Sequence, residues 1–397
     1  MMKNEKMLII DKVEYSPKNP LIIAELGTSH NGDINRARQL IDAACNSGAN
    51  CIKVQMVYAD EILHPNTGIV PLPTGKIRLF DHFKALEMDL EFYIDIKNYA
   101  ESKGILFLCT PFGLKSASIL KKMMPNMVKI ASPELNFTSL LEEIASWNVP
   151  TLLSSGVSTL GDIEKAIEVF KNIEFTTNQH EPSRTEKREH SSSSCGLWLK
   201  KTCLLHCVTA YPAPETDYNL RVLPNLSSIF GVSVGVSDHS LDPELVPSLS
   251  VSMGASVIEK HFCLSRNDPG LDDPIALDPD AFSLMVSTIR QACKESSEET
   301  IARLSQKRGS ELIQQILGNG VKELASSEKA NYKLTNRSIH ALRDIQEGEI
   351  IQKSDFAVLR TEKVLRPGLD PCWEKEIVGR TARCFIPDGE GIRFEDI

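Results

Sequence analysis

The feature that most constrains the fold of this 397-residue chain is an alternation of short β-rich apolar runs with longer stretches of helical periodicity. The intervening stretches carry apolar residues at i, i+3 and i+4, as amphipathic helices do. Eight strand–helix units predict a (β/α)8 barrel, and a doubly wound open sheet is the alternative. No GxGxxG turn follows the first run, which favours the barrel. The eight runs span residues 21–26, 51–55, 105–110, 127–132, 150–155, 202–208, 232–237 and 256–262.

Two segments interrupt this rhythm and suggest the domain organisation. Residues 172–196 are polar and lack an apolar period, so we predict a flexible surface insertion, in which His180 and His190 belong to a solvated loop rather than a metal site. Residues 319–335 are typical of a linker, and 336–397 contain short strand patterns with Gly turns. We therefore predict a barrel domain over 1–318 and a small β-rich domain after the linker.

Composition excludes several classes of partner. A net charge of −9 and 24% charged residues argue against nucleic acid or an anionic membrane as the main partner. No apolar run has the roughly 18 residues of a membrane span, and the N-terminus does not have the pattern of a signal peptide. The ten cysteines are scattered without CxxC spacing. They predict free thiols in a reducing compartment, and hence a cytoplasmic protein.

Polar or ionisable residues end nearly every predicted strand. Catalytic groups of (β/α)8 barrels come from the carboxyl ends of the strands and the loops that follow them, whereas packing alone needs only apolar inward layers. We therefore predict a pocket at this end of the barrel. Its candidate residues are Glu25, Lys53, Gln55, Thr110, Lys129, Ser132, Glu134, Ser154, Thr209, Tyr211, Ser237, His239, Glu259, Lys260 and His261.

Two histidines at the ends of neighbouring strands indicate a metal site. His239 and His261 lie at the ends of the seventh and eighth strands, and imidazole suits first-row divalent metals while leaving positions open for water and substrate. His206 is a third candidate, but it lies within its strand and is expected only to support the pocket. The alternative is that each histidine is an ordinary core or surface residue.

Two lysines interrupt otherwise apolar strands. Lys53 and Lys129 are expected to point into the barrel mouth as fixed positive charges. With the hydroxyls of Thr110, Ser132, Ser154 and Ser237, they predict a site for a phosphate or carboxylate. A Schiff-base lysine and outward-facing ion pairs remain alternatives. Glu25 and Glu134 are candidates for orienting a polyol or exchanging protons.

With these residues assembled, the chain resembles the N-acetylneuraminate (sialic acid) synthase family. The resemblance rests on motifs in a fixed order along nearly the whole chain. They include "IAELGTSHNGD", "CIKVQ", "FLCTPF", "VKIASPEL", "LHCVTAYPAPETDYNL", "GVSDHSL", "GASVIEKHFCL" and "DPGLDDPIALDPD". The C-terminal "NRSIHALRDIQEGEII" and "IVGRTARCFIPDGEGI" are similar to the antifreeze-protein-like (SAF) domain of those enzymes.

The resemblance implies a (β/α)8 barrel followed by a SAF domain, in an enzyme that condenses phosphoenolpyruvate with N-acetylmannosamine or a close 2-acetamido sugar. It implies a divalent metal, first Mn²⁺ and otherwise Mg²⁺ or Co²⁺, bound by His239 and His261. It assigns phosphoenolpyruvate to Lys53, Thr110, Lys129, Ser132, Ser154 and Ser237. It assigns the sugar or the reacting centre to Glu25, Gln55, Glu134, Tyr211 and Asp272, with Thr209 standing where many relatives carry Asn or Ser.

The resemblance also implies an oligomer. Arg337 resembles an arginine that reaches into the partner subunit's active site in a domain-swapped homodimer. Three alternatives to the N-acetylmannosamine reaction remain: a legionaminic or pseudaminic acid synthase acting on a 2,4-diacetamido-6-deoxy sugar, a class I aldolase, and an inactive sugar-binding scaffold. The exact sugar depends on side-chain placement that the sequence does not reveal.

Overall fold

The barrel predicted from the alternation is present. A computed structural model describes residues 6–72, 75–178 and 197–397. Eight parallel strands close into a barrel in which each strand pairs with its neighbours in the sequence and the eighth pairs with the first. They are β1 (Leu21–Gly27), β2 (Cys51–Met56), β3 (Leu106–Pro111), β4 (Val128–Ile130), β5 (Thr151–Ser154), β6 (Thr202–Cys207), β7 (Ser233–Asp238) and β8 (Val257–His261).

Helices follow the strands and form the outer layer. The aspartates Asp33, Asp89 and Asp278 cap three of them by accepting hydrogen bonds from first-turn backbone N–H groups. The principal helices are Ile34–Asn46, Leu90–Ser102, Leu114–Lys122, Thr138–Ser146, Leu160–Asn178, Val222–Phe230, Leu245–Ser252 and Pro279–Ala292. Shorter helices lie at Ala59–Ile62, Leu79–Ala85 and Leu197–Lys201, and two more, Ser297–Arg308 and Ser310–Leu317, follow the last barrel helix.

Small antiparallel elements close the bottom and extend the top of the barrel. An N-terminal hairpin, Leu8–Ile10 with Val13–Tyr15, packs on the apolar side chains that fill the lower barrel interior. A second hairpin, Ile69–Leu72 with Gly75–Arg78, follows β2 and lies on the mouth side. The barrel is therefore open at the carboxyl ends of its strands.

The C-terminal part packs on the barrel. Its strands are β9 (Arg337–Ala341) and β10 (Phe356–Arg360), which pair antiparallel, and a short helix spans Glu374–Ile377. Residues 319–335 form turns without a helix or strand, yet they lie against the barrel mouth.

Part of the predicted insertion is helical. Residues 172–178 continue the helix Leu160–Asn178, so the expectation of an irregular loop was wrong there. The remainder of that segment, including His180 and His190, lies outside the described residues. Within the described ranges, no helix combines the length and the apolar character needed to cross a bilayer.

Candidate active site

The two-residue period of the strands builds the site. Along β1, Leu21 and Ile23 fill the apolar lower interior, and Glu25 is the next residue on that face. Along β8, Glu259 and His261 line the mouth in the same way, whereas Lys260 points to the opposite face. There the Lys260 ammonium lies 2.7 Å from Asp238 Oδ2 and is fully buried. Glu259 and His261 of the "EKH" triplet thus point into the cavity, and Lys260 points to the other face of the strand.

A cavity of about 790 Å³ opens at the carboxyl ends of the strands. Twelve of the residues predicted to bind substrate or metal, or to act in catalysis, line it. Six come from β1 to β5 and the loops after them: Glu25, Lys53, Gln55, Lys129, Ser132 and Ser154. Six come from β6 to β8 and the loops after them: Thr209, Tyr211, Ser237, His239, His261 and Asp272.

Two lysines and two carboxylates form a buried charge cluster at the floor of this cavity. Glu259 lies between the lysines, with Oε2 3.0 Å from Lys53 Nζ and Oε1 3.3 Å from Lys129 Nζ. Lys53 Nζ is also 3.3 Å from Glu25 Oε2. Ser237 Oγ donates to Glu259 Oε1 at 2.8 Å. Each charge has an opposite partner, which a buried ionisable group requires.

The two carboxylates differ in basicity. Burial raises the pKa of Glu25 to about 7, with Lys53 opposing and the Glu259 charge reinforcing the shift. Burial alone would raise the Glu259 pKa too, but the adjacent Lys129 and Lys53 hold that pKa well below its usual range. Glu25 therefore exchanges a proton near neutral pH while Glu259 stays ionised. Such a separation of pKa values marks acid–base roles in enzyme sites.

The lysines differ as well. Burial would lower the Lys53 pKa, but the flanking carboxylates Glu25 and Glu259 raise it above its usual value. Burial lowers the pKa of Lys129, whose Nζ lies 3.3 Å from Glu259 Oε1.

Gly27 forms a turn beside three residues that line the cavity. Its φ of +54° lies in the left-handed region that favours glycine. A Cβ at this position would lie 3.4 Å from Asp272 Oδ2, 3.5 Å from Gln55 Nε2 and 3.6 Å from Glu25 Oε1. Gln55 Nε2 donates to Glu25 Oε1 at 2.8 Å. A carboxyl, an amide and a second carboxylate thus surround one backbone turn.

The two predicted metal ligands come together. The rings of His239 and His261 have centroids 5.5 Å apart, and Tyr211 stacks on His239 with centroids 4.3 Å apart. His239 Nδ1 lies 2.8 Å from the Val208 carbonyl oxygen, which leaves Nε2 as the nitrogen free to bind a metal. His206 instead bonds Tyr218 O through Nε2 at 2.7 Å and does not line the cavity.

This donor set fits a two-imidazole metal site with open positions. Asp272 Oδ2 lies 3.8 Å from His261 Nδ1 and adds a carboxylate beside the pair. Throughout the described part of the chain, no group of three or more His, Cys, Asp or Glu side chains is arranged to hold a metal ion, so the two imidazoles are the protein ligands available here. Water and substrate oxygens would complete the coordination, as in catalytic rather than structural sites.

Several hydroxyl groups in the wall lack a partner. Ser154 Oγ, Thr209 Oγ1 and Ser327 Oγ are buried and form no hydrogen bond among the described residues. Unpaired buried polar groups are rare because they cost free energy. Here they face a cavity that already holds two ammonium groups, so they are well placed for the oxygens of a ligand.

Comparison with known proteins assigns the family. The NeuB family profile matches residues 40–300, and the SAF domain profile matches 336–397. The chain belongs to the NeuB family.

The relatives of this NeuB chain are similar over nearly its whole length. The spore coat polysaccharide biosynthesis protein SpsE of Bacillus subtilis is 33% identical over 95% of this chain and 93% of its own length. Its solved structure superposes with a TM-score of 0.77 at 30% identity, covering 98% and 99% of the two chains.

Other relatives carry named activities. The N,N'-diacetyllegionaminic acid synthase of Campylobacter jejuni is 31% identical over 95% of this chain and 99% of its own length, and a pseudaminic acid synthase of that species is equally similar at 31%. The N-acetylneuraminic acid synthetase structure of Leptospira borgpetersenii has a TM-score of 0.62 and 28% identity over 82% and 95% of the two chains. The chain is accordingly an enzyme of a family of sugar-acid synthases.

Three residues predicted to bind substrate do not line the cavity, and neither does the predicted pocket residue Lys260. Thr110 is buried without lining the cavity. Glu134 and Arg337 bind each other: Arg337 Nε donates to Glu134 Oε1 at 2.9 Å, and Arg337 Nη2 donates to Phe112 O at 2.6 Å. Burial lowers the pKa of Arg337 to about 10, against the pull of Glu134. These two residues therefore join the SAF domain to the barrel, and their predicted contact with substrate stays a prediction.

Glu259 and Arg360 line the cavity but received no role from the sequence. The sequence identified Glu259 as a polar residue at a strand end but gave it no role. In the structure it lies between Lys53 and Lys129, at the centre of the charge cluster. Arg360 lines the cavity from β10 and lies 2.6 Å from Glu134 Oε1. Alternation along β8 could have identified Glu259. No local pattern identifies Arg360, because its position depends on how the SAF domain packs.

Proposed function

We propose that this NeuB enzyme condenses phosphoenolpyruvate with N-acetylmannosamine, or a close 2-acetamido sugar, to give N-acetylneuraminate and inorganic phosphate. The observation that carries the proposal is the position of two buried lysines and two imidazoles on one cavity with unpaired hydroxyls. The combination suits a small polyanion beside a metal-bound carbonyl. Relatives named as legionaminic and pseudaminic acid synthases are 31% identical, so 2,4-diacetamido-6-deoxy sugars are the second substrate class.

Phosphoenolpyruvate is assigned to the charge cluster. When Glu25 is protonated, Lys53 and Lys129 face only the Glu259 carboxylate, and the cluster has a net positive charge that attracts an anion. Ser132, Ser154 and Ser237 surround the same floor. In a buried site such fixed charges stabilise an anionic ligand without reorganising.

A divalent metal, Mn²⁺ in the first instance, is assigned to His239 and His261. It would supply Lewis-acid polarisation of the sugar's aldehyde oxygen. The chain itself orients that aldehyde, through Gln55, Asp272 and Tyr211 on the sugar side of the cavity.

The bond changes balance with Glu25 as the proton carrier. The C3 carbon of phosphoenolpyruvate attacks the aldehyde carbon, and the former aldehyde oxygen takes a proton. Water then adds at C2, and the tetrahedral intermediate expels inorganic phosphate, leaving a ketone. Glu25, with a pKa raised to about 7 by burial, is suited to give and retake protons at Oε2.

The test is phosphate release from phosphoenolpyruvate. We expect release to require both a 2-acetamido sugar and Mn²⁺, to stop with EDTA and to return when Mn²⁺ is added back. A panel of N-acetylmannosamine, its 6-phosphate and 2,4-diacetamido-6-deoxy sugars identifies the acceptor. Lys53→Met is the inactive control, and Lys103→Met, at a lysine outside the cavity, is the matched active control.

Two further experiments on the same protein test the class I aldolase and the sugar-binding scaffold as alternatives. Borohydride reduction in the presence of pyruvate would trap a lysine adduct if the enzyme were a class I aldolase; we expect none, because Lys53 and Lys129 are both ion-paired with Glu259. Sugar binding without phosphate release under every condition would indicate a scaffold instead of an enzyme of this reaction.

A further inference from the structure

The segment between the two domains places one buried carboxylate, that of Glu328, behind the wall of the cavity. Glu328 is 1% exposed. Its Oε2 accepts hydrogen bonds from Thr209 N at 2.8 Å and Val157 N at 3.2 Å, and its Oε1 accepts one from Ala325 N at 3.3 Å. No lysine or arginine forms an ion pair with it among the described residues, so backbone N–H groups satisfy its charge.

The same segment also binds the backbone carbonyl groups of Val157 and Thr209. Asn331 Nδ2 donates to Thr209 O at 2.9 Å, and Asn336 Nδ2 donates to Val157 O at 3.2 Å. Both backbone polar groups of both residues are thus bound by three side chains of residues 328–336. Val157 follows β5 and Thr209 follows β6, so this set of bonds, the 328–336 clamp, joins two neighbouring strand ends.

The clamped backbone is strained and closely packed. Val157 has a φ of +43°, a left-handed conformation that a β-branched side chain disfavours. Such strain persists only where surrounding bonds enforce it, and it is concentrated at functional sites. Next to it, Gly156 has no space for a Cβ, which would collide with Thr209 Oγ1 and Ser132 Oγ.

The clamp holds hydroxyl groups that face the cavity. Gly156 N donates to Ser132 Oγ at 3.0 Å, which ties a third strand-end loop to the clamped pair. Thr209 Oγ1, on a clamped residue, and Ser327 Oγ, adjacent to Glu328, are two of the buried hydroxyls that form no hydrogen bond within the described part of the chain. A shift in the clamp would move Ser132, Thr209 and Ser327 together.

We propose that Glu328 is a positioning residue, which fixes this hydroxyl wall for the oxygens of the phosphate-bearing substrate by holding the backbone of Val157 and Thr209. The proposal rests on the proposed function for the identity of that substrate. Glu328 lies behind the wall and acts through the backbone, so its carboxylate oxygens matter as hydrogen-bond acceptors more than as charges. Its effect should therefore fall on substrate affinity.

Titration of phosphoenolpyruvate into the full-length protein tests this in the presence of Mn²⁺. We expect Glu328→Ala to weaken binding by about tenfold to a hundredfold, because displacements of about 1 Å have effects of that size in active sites. Glu328→Gln keeps one oxygen to accept hydrogen bonds from both N–H groups. Its affinity for phosphoenolpyruvate should stay within a few-fold of that of the protein without substitutions. Glu323→Ala, at an exposed glutamate of the same segment, is the matched control.

A second measurement does not depend on substrate. Amide hydrogen exchange at Val157 and Thr209 should accelerate at least tenfold in Glu328→Ala and stay slow in Glu328→Gln, while the Lys53 amide in β2 is unaffected. If Glu328→Ala does not fold, Asn331→Ala removes the side-chain bond to Thr209 O, and should accelerate exchange at Thr209 by a smaller factor.

The outcomes separate the two proposals. If the protein without substitutions neither binds phosphoenolpyruvate nor releases phosphate, the proposed function is contradicted. Faster amide exchange in Glu328→Ala would still support the clamp in that case. Normal affinity and normal exchange in Glu328→Ala would overturn the positioning role. Equal losses in Glu328→Ala and Glu328→Gln would overturn the argument that hydrogen-bond acceptance is what matters.

Discussion

Glu25 shows how burial converts an ordinary carboxyl into a group that titrates near neutrality. Its Oε1 accepts from Gln55 Nε2, and its Oε2 lies 3.3 Å from Lys53 Nζ. Lys53 is shared with Glu259, whose two oxygens contact both lysines. One carboxylate is enough to hold the lysines in place, so the second is free to exchange a proton.

We predict that Glu25→Gln lowers turnover at least about a hundredfold, the contribution expected of a proton-transferring group, while phosphoenolpyruvate still binds. The pKa of Glu25 is raised to about 7, so this carboxyl is neutral below that pH and adds a negative charge above it. Affinity of the unchanged protein should therefore fall with rising pH above the pKa, by up to about tenfold per pH unit.

Calorimetric titration across that range checks this dependence. Glu25→Gln is always neutral, so its affinity should lack this component. Comparing the two proteins in the same buffers cancels the ionisation of the ligand itself. Near-normal turnover of Glu25→Gln would refute the proton-transfer role.

The histidine pair makes a separate prediction that needs no substrate. We expect one Mn²⁺ to bind per chain, and His239→Ala or His261→Ala to weaken binding by on the order of tenfold or more, because each removes one of two imidazole ligands. Electron paramagnetic resonance of free Mn²⁺ during titration measures this. His82→Ala, at a histidine that does not line the cavity, should bind Mn²⁺ normally. Equal affinity in all three variants would contradict the assignment.

At the scale of single elements, β8 illustrates how one strand serves both catalysis and stability. Glu259 and His261 face the cavity, and Lys260 between them is buried against Asp238 on the other face. Lys260 Nζ also lies 3.3 Å from Ser240 Oγ, in the loop after β7. Neighbouring positions should therefore respond differently to the same kind of substitution.

We predict that Lys260→Met lowers the free energy of unfolding by about 3–5 kcal/mol, because it leaves Asp238 as an uncompensated buried charge. Its affinity for phosphoenolpyruvate should change little. Lys53→Met should instead lose binding, since Lys53 lines the cavity. Denaturant titration and calorimetry of both variants measure the two quantities. Loss of binding in Lys260→Met with unchanged stability would contradict the two-face description.

The period of the strands made most of this site predictable. All eight predicted strands are present, and twelve of the predicted residues line the cavity because alternation and strand ends are local properties. Glu134 and Arg337 do not line the cavity because they bind each other across the contact between the barrel and the SAF domain. Arg360 and the 328–336 clamp depend on contacts between residues more than 100 positions apart, which no sequence period encodes.

At the scale of the whole molecule, the SAF domain and the barrel are joined by polar contacts at the mouth. Asn66 Nδ2, in the loop after β2, donates to Asp388 O at 3.0 Å, and His64 Nε2 lies 3.1 Å from Asp388 Oδ1. The Arg337–Glu134 pair is part of the same contact. Exchange of the domain between two copies would preserve every one of these contacts, with residues 319–335 as the connection.

A domain-swapped homodimer thus remains our prediction, and a disulfide can test it. We expect Asn66→Cys/Asp388→Cys, in a Cys372→Ser/Cys384→Ser background that removes two exposed thiols, to form a covalent dimer on oxidation. The bridge would then join the barrel of one chain to the SAF domain of the other. Non-reducing electrophoresis under denaturing conditions reads the result, and Asn66→Cys alone in the same background should stay monomeric. A bridged monomer that migrates faster than its reduced form would instead place each SAF domain on its own barrel, because an internal loop compacts the denatured chain.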